Sequence, residues 1–316
     1  MPATLTISLD TELAWGRVGE RRPWEYFDQF ERTPAIVKEL VSIADVREIG
    51  MTWAIVGALV ESDREAVRSR VAGSPRLLSR VDQAWKVVPE HLLLVPDLLE
   101  VVSRARHMEI ASHSYTHIDF TDPEWTAADI ECEFTAAAEG LREAGSPTTA
   151  FVFPKNHVRH TESARSAGFI RYRPSGRYWY GRGESHLSKV LMQCDVALNL
   201  PARAWSEGTP SGVRGYNVPF FCPSRARGLR GMVPPAWLTT KAIRTLDRAA
   251  RGSAHVDLWF HPHDFAHRHD EHLRAFTQVL DRVCRLRDAG ALTIRPLGCF
   301  DGEATVIEDA TTGGAA

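Results

Sequence analysis

The chain has 316 residues, 44% of them hydrophobic and 25% charged, with a formal net charge of −2. That balance describes a folded globule of one large or two modest domains and argues against a nucleic-acid binder or a membrane-surface protein. Five cysteines (Cys132, Cys194, Cys222, Cys284 and Cys299) are odd in number, far apart and without a CxxC, which excludes a disulfide framework or a cysteine zinc site.

In chain order, the opening residues run directly into "TLTISL", which reads as a strand. No basic segment followed by an apolar stretch precedes it, so no signal peptide and a cytoplasmic location are expected. "TPAIVKELVSIADVREIG" predicts a helix with Thr33 as N-cap, Pro34 in its first position and Gly50 as its stop. "MTWAIVGALV" reads as a second strand, and residues 61–91, more charged, as an inserted helical segment. Next come a helix in "VPDLLEVVSRARH", a strand at "MEIAS" and a long helix from "DPEWTAADIE" to Gly145, capped by Asp122 or Thr121. "TAFVFP" and "FIRYRP" read as strands around a short helix in "TESARSAG".

Residues 174–235 are rich in Gly, Pro, Arg and aromatics and read as an irregular loop region. Regularity returns with a helix in "PAWLTTKAIRTLDRAARG", a strand at "HVDLWF", a helix in "DEHLRAFTQVLDRVCRLRDAG" and a last strand at "LTIRPL". No apolar run reaches ~18 residues, so no membrane span is expected. A single domain over 1–303 and a disordered tail over 304–316 complete the reading.

Repeated strand–helix units with apolar strands imply a parallel sheet buried on both faces. The first strand ends in "LDTELAWG", with no glycine-rich phosphate loop, so a closed barrel fits better than a doubly wound sheet. Barrel enzymes carry their functional groups at the C-terminal ends of the strands. Four such ends are polar here: Asp10 and Glu12; His113 with His117; Lys155 and Asn156; and His261 with His263 and Asp264. His113 and His117, at i and i+4 on a helical turn, would reach one metal ion together. A carboxylate from a neighbouring strand completes a site with positions left open, with Glu12 as ligand and Asp10 as general base.

Together "SLDTE", "SHSYTH", "FVFPKN" and "LWFHP" resemble the polysaccharide deacetylase family, also called the NodB-homology family or carbohydrate esterase family four. The resemblance spans most of the chain, in the family's motif order. It implies a distorted (β/α) barrel of about seven parallel strands in the α/β class. It implies Asp10 as base, Glu12, His113 and His117 as ligands of a divalent metal (zinc is expected), and His261 as general acid to the leaving amine. Where the family has two adjacent aspartates this chain has Asp10-Thr11-Glu12. Where the family has a base-orienting arginine it reads "FPKNH", leaving Lys155, Asn156 or Arg159 for that task.

The expected substrate-binding set is Lys155, Asn156, Tyr115 (whose backbone N–H would hold the oxyanion), Trp15, Arg173 and His263. The arginines and aromatics of "RYRPSGRYWYGRG" suit sugar rings and anionic groups. The expected reaction is removal of an acetyl or formyl group from an amino sugar or similar small intermediate. The expected partner is therefore a small-molecule or sugar substrate, with a homo-oligomer left open. Two rival readings are an allantoinase-like hydrolase of a ureide, with or without metal, and an inactive carbohydrate-binding barrel.

Overall fold

A computed structural model describes residues 1–174, 185–198, 215–219 and 233–299. The predicted tail and much of the predicted irregular region, including 175–184, lie outside the described residues. The structure rests on β1 (Ala3–Thr11), whose side chains alternate sharply. Ala3, Leu5, Ile7 and Leu9 enter the main apolar core, whereas Thr6, Ser8 and Asp10 are buried on the opposite face. β7 (His255–Phe260) repeats the pattern in register: Val256, Leu258 and Phe260 join the core, while Asp257 and Trp259 pair with Thr6 and Ser8.

The other strands are β2 (Met51–Ile55), β3 (Met108–Ser112), β4 (Ala150–Phe151), β5 (Arg171–Tyr172), β6 (Gly215–Pro219) and β8 (Leu292–Ile294). They run in the order β5-β4-β3-β2-β1-β7-β6, with β8 also paired to β1, and every pairing is parallel. Among the described residues β5 and β6 do not pair with each other. The expected closed barrel is thus a curled, open half-barrel, of the distorted (β/α) kind that the resemblance implies. All the strands being parallel, their C-terminal ends share one rim, and that rim carries the polar residues picked out above.

The helices correct the sequence reading in three places. α1 (Phe27–Asp45) begins well before Thr33, and Pro34 sits inside it. Phe30, buried on the core side, extends the apolar face upstream, and Thr33 bonds back to the Gln29 carbonyl instead of capping. The strand β2 stops at Ile55, because Gly57–Val60 turns into a 3-10 helix. Gly57 is needed there: a Cβ would run into the Tyr115 ring at 2.7 Å.

The long helix, α5 (Ala127–Glu143), is capped by Thr126 in a capping box with Asp129, not by Thr121 or Asp122. Those two residues instead belong to turns of their own, Thr121 bonded to Asp119 and Asp122 to the Glu124 amide.

The insertion at 61–91 is helical, as expected, with α2 (Arg64–Arg70) and α3 (Pro75–Val87). The remaining helices are α4 (Asp97–Ser103), α6 (Thr161–Ser166), α7 (His186–Ala197), α8 (Pro235–Gly252) and α9 (His269–Asp288). Two of these elements, α7 and β6, fall within the stretch expected to be irregular. Among the described residues no helix is long and apolar enough to cross a membrane.

Candidate metal centre

β1 delivers Asp10 on its inner face and Glu12 just past its end, as N-cap of a 3-10 turn over Leu13–Arg17. Glu12 is only 7% exposed, and its carboxylate folds back over Gly16, where a Cβ would overlap the carboxylate oxygen. Glycine at 16 therefore makes room for Glu12.

β3 delivers His113 and His117, but on a loop rather than the helical turn that their spacing suggested. Ser114 and His117 adopt left-handed backbone angles, φ 65° and 59°. A buried carboxylate holds this loop. Glu133, from α5, accepts the amides of Tyr115 and Thr116 and the Thr116 hydroxyl at 2.6–3.0 Å. Arg80, from the inserted α3, donates to the carbonyls of Thr116 (2.9 Å) and His117 (3.0 Å) from the other side. Burial pulls Arg80 down to about 10, with Glu133 working against that shift. The insertion is therefore part of the site's frame.

The loop turns both rings toward Glu12. His113 Nδ1 bonds the Val152 carbonyl at 2.8 Å, which leaves Nε2 facing inward. Glu12 Oε2 lies 2.6 Å from His117 Nε2 and 3.6 Å from His113 Nε2. Both Nε2 atoms are buried, and neither makes a hydrogen bond of proper geometry. Burial, the largest influence, lowers the pKa of His117 and favours the neutral ring. Burial also acts to raise Glu12, but its contacts with the neighbouring histidines outweigh it and hold the carboxylate well below its usual range.

Two buried imidazole nitrogens facing one ionised carboxylate, all within 4.8 Å and with no polar contact apart from that carboxylate, fit a divalent cation. Their being otherwise unsatisfied is what a hydrogen-bonded structural cluster would not show.

Beside this set, Asp10 is gripped by Arg173, which follows β5. Nη1 and Nη2 reach the two carboxylate oxygens at 2.7 Å each, and Nη1 also donates to Ser8 Oγ at 3.0 Å. Burial works to raise the Asp10 pKa, but Arg173 outweighs it and the shift is downward. Asn156 accepts from Nε and Nη2 of Arg173 at 2.9 and 2.6 Å, and Trp259 lies under the guanidinium at 4.8 Å.

The contact to Asp10 expected of Lys155, Asn156 or Arg159 is thus made by Arg173, just past β5, and Arg173 is drawn away from the substrate-binding role expected of it. Lys155 does not stand in: its side chain is 58% exposed and pairs with Asp119 at 3.2 Å, and Arg159 is exposed as well.

His261 follows β7 and faces Glu12, with Nε2 at 3.9 Å from Oε1 and Nδ1 backed by Asp264 Oδ2 at 3.2 Å. Burial opposes its protonation, yet Glu12, Asp264 and Asp10 raise its pKa to about 9. His263, next on the same turn, is buried, and that burial lowers it to about 4.

Two further expectations are corrected. Trp15 is fully buried, its indole N–H donating to the Leu93 carbonyl at 3.0 Å and its ring edge-on to Trp85, so it packs the insertion rather than facing a substrate. The Tyr115 amide is already committed to Glu133, and its hydroxyl donates to Glu61 at 2.9 Å, so neither group is left for an oxyanion. Sequence reasoning missed Glu133 and Arg80. A signal existed for Glu133, which sits on the apolar stripe of α5 among Ile130, Phe134 and Ala137.

No protein-family model and no curated protein matches the sequence. Solved structures do. A protein from Mycobacterium smegmatis, provisionally named a polysaccharide deacetylase, aligns over 93% of each chain at 14% identity with a TM-score of 0.55. A family 4 carbohydrate esterase from Streptomyces lividans, solved with acetate, aligns over 96% of this chain and 97% of its own at 12% identity and a TM-score of 0.42. A family 4 pseudoenzyme from Bacillus anthracis aligns over 94% and 64% at 12% identity and a TM-score of 0.44. At these scores only the first carries weight, and it speaks to fold. Across most of its length this chain has the fold of a polysaccharide deacetylase, with a candidate Glu–His–His metal site at the rim of its parallel sheet.

Proposed function

We propose that the protein is a divalent-metal-dependent hydrolase of C–N amide bonds, an N-deacylase that removes an acetyl or formyl group from an amino sugar or a similar small intermediate. The observation that carries this reading is the grouping of three kinds of side chain in one place. Two buried imidazoles and the carboxylate of Glu12 lie within 4.8 Å of one another, a carboxylate-backed imidazole, His261, stands 3.9 Å from Glu12, and the clamped carboxylate of Asp10 comes from the same strand end.

Glu12, His113 and His117 would hold the cation, with zinc the best match to a two-histidine, one-carboxylate set. When bound it supplies Lewis acidity, which makes an acyl carbon more electrophilic and a water more acidic. Asp10, kept ionised and fixed at both oxygens by Arg173, takes the proton from the attacking water. His261, held protonated with Asp264 behind Nδ1, offers its Nε2 proton to the departing nitrogen. The C–N bond breaks as that nitrogen takes the proton, leaving a carboxylic acid and a free amine.

The test joins elemental analysis to an amine-release assay on N-acetyl and N-formyl amino sugars with a ureide alongside. About one zinc-class ion per chain, lost in the His113→Ala, His117→Ala double variant, with amine released from an N-acyl sugar, supports the proposal. Turnover of the ureide alone refutes the sugar reading, and absence of bound metal even after zinc is added refutes the metal-dependent one.

A further inference from the structure

The turn that carries His261 holds one donor, His263, that the proposed reaction does not use. His261, His263 and Asp264 bring one nitrogen or oxygen each within 4.8 Å of one another. His261 Nδ1 is 3.2 Å from Asp264 Oδ2, and His263 Nε2 is 3.8 Å from Asp264 Oδ1. His263 is 1% exposed and Asp264 4%, and His263 Nδ1 has no hydrogen-bond partner.

A proton-donating His261 needs only Asp264 behind it. His263 adds nothing to that, and its ring lies beside His261 at 5.0 Å and edge-on to Phe30 at 5.2 Å. An apolar side chain of that size would fill the space without desolvating an imidazole.

We propose that His261, His263 and Asp264 form a second, weaker divalent-cation site beside the first, and that its occupancy switches the enzyme off. The donors are again two imidazoles and one carboxylate, the same chemistry as at Glu12, His113 and His117. Glu12 stands between the two groups, Oε2 against His117 and Oε1 3.9 Å from His261 Nε2, so its negative charge serves both.

The second site is weaker because a cation there must replace the existing His261–Asp264 contact, whereas at the first site Glu12 Oε2 already faces the Nε2 atoms of both His113 and His117. A cation on His261 Nδ1 and Asp264 takes away the carboxylate that holds His261 ready as a donor. The site itself stands on geometry alone; its effect on turnover rests on the deacylase reading.

The experiment is a zinc titration of the metal-stripped full chain by equilibrium dialysis, with ions counted by elemental analysis, beside His263→Gln and Asp264→Asn. Two ions per chain in the unaltered protein and one in each variant support the site. An accompanying fall in amine release of about 100-fold as the second ion binds supports the switch. One ion per chain throughout overturns the proposal and leaves the deacylase reading intact, whereas none overturns both.

Two ions persisting in both variants also overturn it. Two ions with undiminished turnover overturn the switch. Anomalous diffraction from zinc-soaked crystals of the unaltered protein decides independently of how the variants fold: a peak among His261, His263 and Asp264 supports the site, and a peak confined to Glu12, His113 and His117 refutes it.

Discussion

Two histidine pairs meet across Glu12, and they are held in opposite ways. His113 and His117 sit on a loop wrapped around the buried Glu133 carboxylate, with Arg80 closing it from outside. His261 and His263 sit on a short 3-10 turn over Pro262–Ala266 that packs on α1. Behind the His113 ring is the Val152 carbonyl; behind the His261 ring is the Asp264 carboxylate. A carbonyl orients the ring and leaves its inner nitrogen free for a cation, while a carboxylate favours the protonated ring. What stands behind each imidazole thus separates the proposed ligands from the proposed proton donor, although all four are histidines on one rim.

That contrast can be broken most severely on the ligand side. The His113→Ala, His117→Ala double variant is expected to lose its metal and at least about 1,000-fold in turnover, read by elemental analysis and amine release. On the donor side, His261→Ala is expected to keep the Glu12-bound metal and still lose about 100-fold in turnover. Equal metal loss in both would erase the distinction.

The frame of the ligand loop gives the next effect. Glu133→Ala leaves the Tyr115 and Thr116 amides without their acceptor, and is expected to weaken metal binding about 10- to 100-fold and the fold by about 2–4 kcal/mol in denaturant melts.

Arg173→Met tests the clamp on Asp10. Turnover should fall about 10-fold with metal content unchanged. Arg173 keeps the Asp10 pKa down against burial, so the base form persists to low pH. The acidic limb of the pH–rate profile should therefore move upward in the variant.

The smallest effect concerns Asp129, which ties α3, the helix bearing Arg80, to α5 through Ser74 and Arg76. Burial opposes its ionisation, but hydrogen bonds from Ser74, Thr126 and Arg76 lower it to about 2 in the fold. The unfolded value is about 3.9. Its contribution is complete above that value and is lost as pH falls toward 2. Asp129→Asn should cost about 1–2 kcal/mol near neutral pH, a difference that vanishes in melts below about pH 2.

The rim residues on the long strands were legible because a parallel strand buried on both faces carries charge most readily where it ends. Asp10, Glu12 and His261 could be picked out that way, and β1 and β7 carry them. Arg173 could be seen as a candidate but not assigned, because its partner lies 163 residues earlier in the chain. The i, i+4 spacing of His113 and His117 pointed to a pair that does come together, but for the wrong reason: no helix is there, and the pair converges through two left-handed residues and a carboxylate from α5. Trp15 read as a substrate contact because an aromatic near a strand end looks the same whether it faces solvent or, as here, a helical insertion.

By itself, then, the sequence determined the order of strands and helices outside residues 174–235, the parallel sheet and the strand ends that bear chemistry, all of which follow from local periodicity and the cost of burying charge. Tertiary structure alone decided that the sheet stays open among the described residues, that Arg173 serves Asp10 and that α3 and α5 frame the candidate metal ligands. Those outcomes depend on which distant side chain satisfies each buried polar group, and no local pattern encodes that choice.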